Sequence, residues 1–227
     1  MRRLAIALGA CSVAALLAVG LAGCSGSRTR PAAAVYVVTR GDTLYSISWR
    51  HGLDYRELAR WNGIGSEYRI EIGEHLRLTA PSQPPAGPRP PSIAAKPALA
   101  PSASPPPAFV WPADATTSER VVQPLGGVGL AILGRQGDEI RAAAAGRVVY
   151  VGSGLAAYGR LVIVKHDDTW LSAYGCNREV YVAEGERVNA GQRIAAMGEG
   201  AGHRAQLYFE IRSGGRPVDP AIALPRR

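Results

Sequence analysis

Short segments in which apolar and polar side chains alternate dominate the second half of the chain. Residues 207–212 alternate strictly, with Leu, Phe and Ile on one face and Tyr, Glu and Arg on the other, which is typical of a β-strand. Further short strands, separated by turns that contain Gly, are predicted at 147–152, 161–165 and 170–174. No long amphipathic helix is indicated in residues 109–227, so the pattern predicts an all-β domain there.

Residues 35–79 follow a different pattern. A β-branched stretch at 35–38 predicts a strand, and apolar residues at helical spacing predict two helices after it. Residues 68–78 predict a returning strand that contains Gly73, so the expected order is strand, helix, helix, strand. The predicted helix boundaries are an N-cap at Asp42 or Thr43, a C′ glycine at Gly52, and Asn62-Gly63 after the second helix.

Proline dominates the stretch between these two regions. Residues 80–108 contain 11 prolines, with Ala and Ser as most of the remainder and almost no charge. Such a segment cannot form a core and favours extended polyproline II structure. At roughly 3.1 Å per residue it is a semi-rigid spacer. The chain is therefore predicted to be multidomain, with a small domain at 35–79 and a larger one at 109–227 that move independently.

The N-terminus has the pattern of an exported protein. A short basic segment precedes an apolar run at 4–21, and Leu21-Ala22-Gly23-Cys24 resembles the lipobox of bacterial lipoproteins. The resemblance implies a signal peptide at 1–23 and a lipid on the Cys24 thiol. An uncleaved transmembrane anchor is the alternative, because the apolar run is about long enough to span a bilayer.

The residues around Cys24 also bear on the compartment. Ser25 stands where an Asp would retain a lipoprotein at the inner membrane, so we expect outer-membrane anchoring through a tether at 24–34, facing the periplasm. Cys11 leaves with the predicted signal peptide. Cys176 is then the remaining free thiol, and the mature chain cannot form an intramolecular disulfide.

Net charge narrows the possible partners. The formal charge is +8, of which Arg2 and Arg3 contribute +2 that signal cleavage removes, leaving +6. A basic exported protein suits phospholipid head groups or peptidoglycan carboxylates, whereas nucleic acid is a poor partner outside the cytoplasm. Because the charge is scattered along the chain, a basic soluble surface without a specific partner is an equal alternative.

The small domain carries two recognisable motifs. These are Tyr-x-Val-x-x-Gly-Asp-Thr-Leu-x-x-Ile from Tyr36 and Leu-x-x-Trp-Asn-Gly-Ile from Leu58, and with them residues 35–79 resemble a LysM domain. The resemblance implies a βααβ fold that binds glycans containing N-acetylglucosamine, such as peptidoglycan, in a groove between two loops. Some of the loop residues are also expected to serve as helix caps and turns. The implied contacts are Gly41, Asp42, Thr43, Leu44, Asn62, Gly63 and Ile64.

The large domain resembles the LytM (M23) peptidoglycan endopeptidase family over residues 111–225. The resemblance implies a barrel-sandwich-like β domain. A lipoyl-type hairpin is the alternative for 184–197, but no Lys stands at the modification turn. The matching segments are Ala143-Ala144-Ala145-Gly146-Arg147-Val148-Val149-Tyr150, Tyr158-Gly159-Arg160-Leu161-Val162-Ile163, Val188-Asn189-Ala190-Gly191-Gln192-Arg193-Ile194-Ala195 and Phe209-Glu210-Ile211-Arg212.

The residues that would bind zinc in this family are replaced. Active members bind it through His-x-x-x-Asp and the second His of His-x-His, and two further histidines act in catalysis. Here the aligned segments are 127–131, 174–176 and 206–208. The five replaced positions hold Gly127, Ala131, Cys176, Gln206 and Tyr208.

A catalytic zinc needs about three N, O or S ligands and one open position. Gly127 and Ala131 offer no donor atom, and without a metal, bound water is not activated at neutral pH. We therefore expect no metal, no cofactor and no peptidase activity. His203 precedes the strand in a Gly-rich loop; a replacement ligand is one interpretation of it, and a solvated loop His is the default.

An exported, anchored, wall-binding chain with such a domain resembles the NlpD/EnvC class of amidase activators. The resemblance implies a groove that binds a periplasmic N-acetylmuramoyl-L-alanine amidase and favours its open conformation. We expect Gly and Ala to widen that groove. Two alternatives remain: a purely structural peptidoglycan tether and a residual M23 metalloendopeptidase. The implied groove residues are Gly127, Ala131, Tyr174, Cys176, Gln206 and Tyr208.

Overall fold

A computed structural model describes residues 34–81, 104–114, 117–122 and 127–226. The predicted signal peptide, the lipidation site Cys24 and most of the predicted tether and linker lie outside the described residues. Residues 33–227 belong to one compact unit. Within the described residues, no helix is both long and apolar enough to cross a membrane.

The small domain has the predicted order of strand, helix, helix, strand. Thr43 caps the first helix and exchanges side-chain hydrogen bonds with Ser46, while Gly52 and Gly63 end the two helices in the left-handed conformation. These caps satisfy main-chain groups that a helix end leaves unpaired. The elements are β1 (Val35–Val37), α1 (Leu44–His51), α2 (Tyr55–Asn62) and β2 (His75–Arg77).

The returning strand is shorter than the sequence predicts. Only His75–Arg77 pairs with β1, whereas a strand was expected over 68–78. Tyr68 and Gly73 have φ values of 54° and 87°, which are incompatible with extended backbone. A turn therefore occupies the first half of the predicted strand.

In its described residues the large domain is all-β except for one short helix and two 3-10 turns. The four strands predicted there are all confirmed: the strand at 161–165 agrees at both ends, and the ends of the other three differ by at most two residues. The described part has β3 (Thr117–Val122), β4 (Val128–Leu133), β5 (Glu139–Arg141), β6 (Gly146–Gly152), β7 (Leu161–Lys165), β8 (Trp170–Gly175), β9 (Asn177–Val180), β10 (Arg187–Val188), β11 (Arg193–Glu199), β12 (Ala205–Ser213), β13 (Arg216–Val218) and α3 (Pro220–Ala223).

Strand β12 is the centre of this domain. The strands follow the order β10, β6, β7, β8, β12, β11, β5, and all the pairings within it are antiparallel. Strands β4 and β13 also pair with β12, β3 pairs with β4, and β9 pairs with β11. One strand therefore contacts four others along its length and fixes their relative register.

The strands β6, β7, β8 and β12 are buried on both faces along most of their length. In β7, Val162 and Val164 belong to the main core of the domain, whereas Leu161 and Ile163 belong to a second apolar cluster on the opposite face. A strand buried on both faces is a continuous apolar run rather than an alternating one. The face that carries the second cluster is called the outer face below.

The LysM-like domain packs on that outer face. Trp49 and Tyr55 belong to the second cluster together with residues of β6, β7 and β8. The core of the small domain itself is a separate cluster around Leu44, Ile47 and Leu58. The expectation that the two domains move independently is therefore wrong for this structure, because they share a buried apolar interface.

The main chain contacts the large domain before the predicted boundary at residue 109. The Ser104 carbonyl accepts a hydrogen bond of 2.8 Å from the indole of Trp170. Phe109 is 5% exposed within the main core. The end of the proline-rich segment is thus attached to the domain rather than free.

Candidate functional site

The register of β12 brings the predicted metal positions together. Tyr208 stands opposite Ala131 of β4 and Gly175 of β8. Gln206 and Cys176 are hydrogen-bonded neighbours at the same end. Gly127 immediately precedes β4 and lies close to the Glu210 carboxylate. The set of Gly127, Ala131, Cys176, Gln206 and Tyr208 is called the vestigial site below.

Large side chains of the same chain fill the vestigial site. A Cβ on Gly127 would lie 2.4 Å from Glu210 Oε2 and 3.0 Å from the Tyr158 hydroxyl. A Cβ on Gly129 would lie 2.8 Å from Tyr208 Cζ. The expectation that Gly and Ala widen a groove is therefore wrong: the space they leave is occupied by Glu210, Tyr208 and Tyr158.

A buried hydrogen-bond network joins these side chains. The Tyr208 hydroxyl donates to Glu210 Oε2 at 2.6 Å, and Arg212 Nε donates to Glu210 Oε1 at 2.6 Å. The rings of Tyr158 and Tyr208 meet edge to face at 5.2 Å. Burial raises the pKa of Tyr158 to about 12. Burial also raises the pKa of Glu210, against the opposing effect of Arg212.

Tyr174 does not belong to this site, contrary to the sequence prediction. Its hydroxyl accepts hydrogen bonds from the Ala143 N–H at 2.7 Å and from Ser172 at 2.9 Å, inside the main core. Alternation along β8 points it away from the outer face, on which Ala173 lies. Tyr174 is a core residue.

Two of the predicted groove residues keep some exposure. Gln206 and Cys176 are partly exposed, whereas Gly127, Ala131 and Tyr208 are buried. Cys176 is a free cysteine with φ 61°. Burial raises the pKa of its thiol, so it is not activated as a thiolate.

His203 is a solvated loop residue, as the default interpretation stated. Its side chain is 94% exposed and pairs with Glu199 at 3.2 Å. Among the residues that the structure describes, no group of three or more His, Cys, Asp or Glu side chains is arranged to hold a metal ion.

Most of the predicted glycan contacts in the small domain have structural partners. Asp42 accepts hydrogen bonds from Tyr36 and Thr39. The Asn62 amide bonds the main chain of Leu58 and Arg77. Three more of the predicted contacts have visible structural roles: Thr43 is a helix cap, Leu44 is fully buried and Gly63 ends α2.

A cleft of about 780 Å³ lies between the two domains, next to the segments that carry the predicted glycan contacts. Its volume is in the range of small-molecule sites, which often occur at domain interfaces. Arg187 and Asn189 make no side-chain hydrogen bond within the described part of the chain. No local pattern in the sequence indicates the cleft, because its walls come from distant segments. They include Tyr45, Ser66, Glu67 and Tyr68 on one side and Arg147, Lys165, Arg187 and Asn189 on the other.

Residues 36–79 match the LysM domain, and residues 127–220 match Peptidase family M23. A lipoprotein NlpD/LppB homolog of Pseudomonas aeruginosa is 40% identical, with 92% of this chain and 82% of the relative covered. The chain belongs to the NlpD/LppB family of lipoproteins.

Two further relatives come from Escherichia coli. The uncharacterized lipoprotein YgeR is 38% identical, with 92% of this chain and 91% of the relative covered. The murein hydrolase activator NlpD is 31% identical, with 85% of this chain and 68% of the relative covered. Among solved structures, a putative M23 peptidase from Pseudomonas aeruginosa has a TM-score of 0.45 at 25% identity, over 51% of this chain and 49% of that one.

Proposed function

We propose that this protein is a non-catalytic outer-membrane lipoprotein that binds peptidoglycan and activates a periplasmic N-acetylmuramoyl-L-alanine amidase during cell-wall remodelling or daughter-cell separation. The observation that carries the proposal is the vestigial site in an M23 domain. Its metal and catalytic positions are occupied by side chains that pack and hydrogen-bond with one another. The name of one relative, murein hydrolase activator NlpD, gives the class of activity.

The absence of peptidase activity follows from the donor atoms at the site. Gly127 and Ala131 have none, and the Tyr208 hydroxyl is committed to Glu210 at 2.6 Å. Reaching a three-ligand set would require moving Tyr208 and Tyr158 out of a buried cluster. The domain is therefore better suited to holding another protein than to cutting a peptide.

Peptidoglycan binding is assigned to the LysM domain. The match of residues 36–79 to the LysM domain supports this assignment. Of the loop positions predicted from sequence, Gly41 and Gly63 are exposed, and their main chain is the part of those loops that a glycan reaches.

The deciding experiment adds the purified protein to a periplasmic amidase of the same organism and measures solubilisation of dye-labelled peptidoglycan. We expect stimulation with the amidase present and no release by the protein alone, with or without added zinc. A heat-denatured sample is the control. Binding to sacculi without stimulation of any such amidase would favour the tether, and zinc-dependent cleavage of wall peptides would favour the hydrolase.

A further inference from the structure

We propose that the outer face of the M23 domain is the amidase-binding surface and that the LysM domain of the same chain competes with the amidase for it. The inference rests on the proposed function and locates its partner. The docked arrangement described here is then the resting form, and activation requires the LysM domain to leave the face.

The first argument is that the LysM domain carries a second surface, which its own fold does not explain. Trp49 and Tyr55 are 1% and 2% exposed, yet they lie outside the core cluster of their domain and inside the cluster of the outer face. Tyr55 also packs against Tyr45 and Tyr68 of its own domain. Large aromatic side chains that are buried against a neighbouring domain mark a protein-binding surface.

The second argument is that this surface covers the strand of the vestigial site. The Arg212 guanidinium lies 3.7 Å from the centre of the Trp49 ring and donates a hydrogen bond of 2.9 Å to the Trp49 carbonyl. Arg212 also holds Glu210, which holds Tyr208. A partner that binds this part of β12 must therefore displace Trp49.

Contacts at the rim fix the docked position. The Tyr55 hydroxyl donates to the Asp168 carbonyl at 3.1 Å, and Arg50 donates to the Gly154 carbonyl at 3.2 Å. At the β12–β13 turn the two main chains come so close that a Cβ on Gly215 would lie 2.5 Å from the Asp54 nitrogen. Together these contacts define one position of the LysM domain on the outer face.

The interface also contains features that favour its opening. The Trp49 indole nitrogen and the Tyr158 hydroxyl are buried beside each other, and neither makes a well-formed hydrogen bond among the described residues. The Arg212 side chain is 1% exposed, so a cation is held away from water beneath Trp49. Poorly bonded polar groups and a buried ion pair weaken a closed state, and the Trp49 indole regains water when the LysM domain leaves.

The side chains on the outer face, once the LysM domain has left it, indicate what kind of amidase segment would bind there. It would present an apolar surface from β6, β7 and β8 around the Arg212 cation. An amidase segment that fits would bring an apolar side chain and a carbonyl or carboxylate oxygen, replacing the ring and the carbonyl of Trp49. The proline-rich segment allows the released LysM domain to stay bound to the glycan meanwhile.

The test compares four variants of the full chain without its predicted signal peptide. Trp49→Ala removes the ring that covers Arg212. Gly215→Ala places a methyl group against the Asp54 main chain. Gly214→Ala is the matched control for Gly215→Ala, because it has the same kind of positive φ, 55°, but a Cβ there would lie 3.6 Å from its nearest neighbour in Asp54. Ile72→Ala is the control for Trp49→Ala, since Ile72 is 69% exposed.

Two quantities are measured for each variant: the radius of gyration by small-angle X-ray scattering and the protein concentration that gives half-maximal amidase stimulation. We expect Trp49→Ala and Gly215→Ala to enlarge the radius and to lower that concentration about tenfold, as removal of a competing closed state that is about ten times more populated would do. Both controls should match the wild type, and sacculus binding should be retained by all four.

Opposite results would overturn the inference. If Trp49→Ala and Gly215→Ala separate the domains but leave the half-maximal concentration unchanged or higher, the LysM domain does not compete with the amidase. If they leave the radius unchanged, the docking is not held by these contacts. If neither the wild type nor any variant stimulates an amidase, the proposed function fails, and competition for the outer face fails with it.

Discussion

Tyr208, where the family resemblance predicts a lost metal ligand, is part of the protein core. Its ring fills the space beside Gly129, and its hydroxyl satisfies Glu210 at 2.6 Å. Glu210 in turn pairs with Arg212, both at or below 1% exposure. Small residues on β4 and a large residue on β12 are complementary here, as a close-packed core requires.

Replacing Tyr208 with Phe should test that network. The ring volume is kept, but Glu210 Oε2 loses its donor, and an unsatisfied buried acceptor costs about 1–3 kcal/mol. Urea unfolding should show that loss. Tyr181→Phe is the matched control, because the Tyr181 hydroxyl also bonds a carboxylate, that of Glu179 at 3.1 Å, but on the surface. Equal effects of the two substitutions would contradict the assigned role of Tyr208.

His166 gives the protein a dependence on pH. Burial lowers its pKa below the ordinary value of 6.5, and its ring nitrogens bond the Ala145 carbonyl and the Ser172 hydroxyl. The unfolded chain therefore takes up the proton first as the pH falls. The contribution of His166 to stability is complete above about pH 6.5 and declines below it, by at most about 1.4 kcal/mol per pH unit.

This dependence is measured by urea unfolding between pH 7.5 and 5.0. His166→Gln should be less stable than the wild type at pH 7.5, and the difference between the two should shrink as the pH falls. A difference that is constant over this range would mean that His166 does not titrate with folding.

At the scale of elements, Asn62 ties the second helix of the LysM domain to its last strand. The side-chain amide donates to the Leu58 and Arg77 carbonyls at 2.8 and 2.9 Å and accepts from the Arg77 N–H at 2.7 Å. Strand β2 is only three residues long, and these three hydrogen bonds of Asn62 add to its short pairing with β1. A loop residue proposed for glycan binding is thus first a structural clamp.

Asn62→Ala should destabilise the LysM domain by about 1–3 kcal/mol, because it removes three hydrogen bonds that are each worth about 0.5–1.5 kcal/mol over their replacement by water. Circular dichroism on heating would follow this loss. Glu57→Ala, on the same helix, breaks only the exposed pair with Arg60 and should cost less than about 1 kcal/mol. If Asn62→Ala weakens peptidoglycan binding at a temperature where the domain remains folded, Asn62 contacts the glycan directly.

Strand β7 is an example of what could be predicted from the sequence and what could not. Its run of apolar residues from Leu161 to Val164 identified a strand, and the motif around it identified the family. The same run also signals burial on both faces, and therefore a second packing partner. That signal was present in the sequence, but it does not say which segment of the chain covers the second face.

At the scale of the whole molecule, the docked LysM domain should gain stability from the interface. Tyr55 is buried there and bonded to the Asp168 carbonyl, so Tyr55→Ala removes about 2 kcal/mol or more of apolar burial. In differential scanning calorimetry of the full chain, the transition of the LysM domain should move to lower temperature. Ile72→Ala should leave it in place, and an unshifted transition for Tyr55→Ala would mean that docking adds no stability.

The sequence by itself determined the two domains and the family, because these depend on local periodicity and on motifs of fixed spacing. It also predicted a missing metal site, because Gly127 and Ala131 carry no donor atom. The tertiary structure decided that the vestigial site is filled rather than open, that Tyr174 faces the core, and that Trp49 lies against Arg212. These contacts join residues up to 163 positions apart. No local pattern encodes them, since they result from which apolar surfaces remain to be buried once each domain has folded.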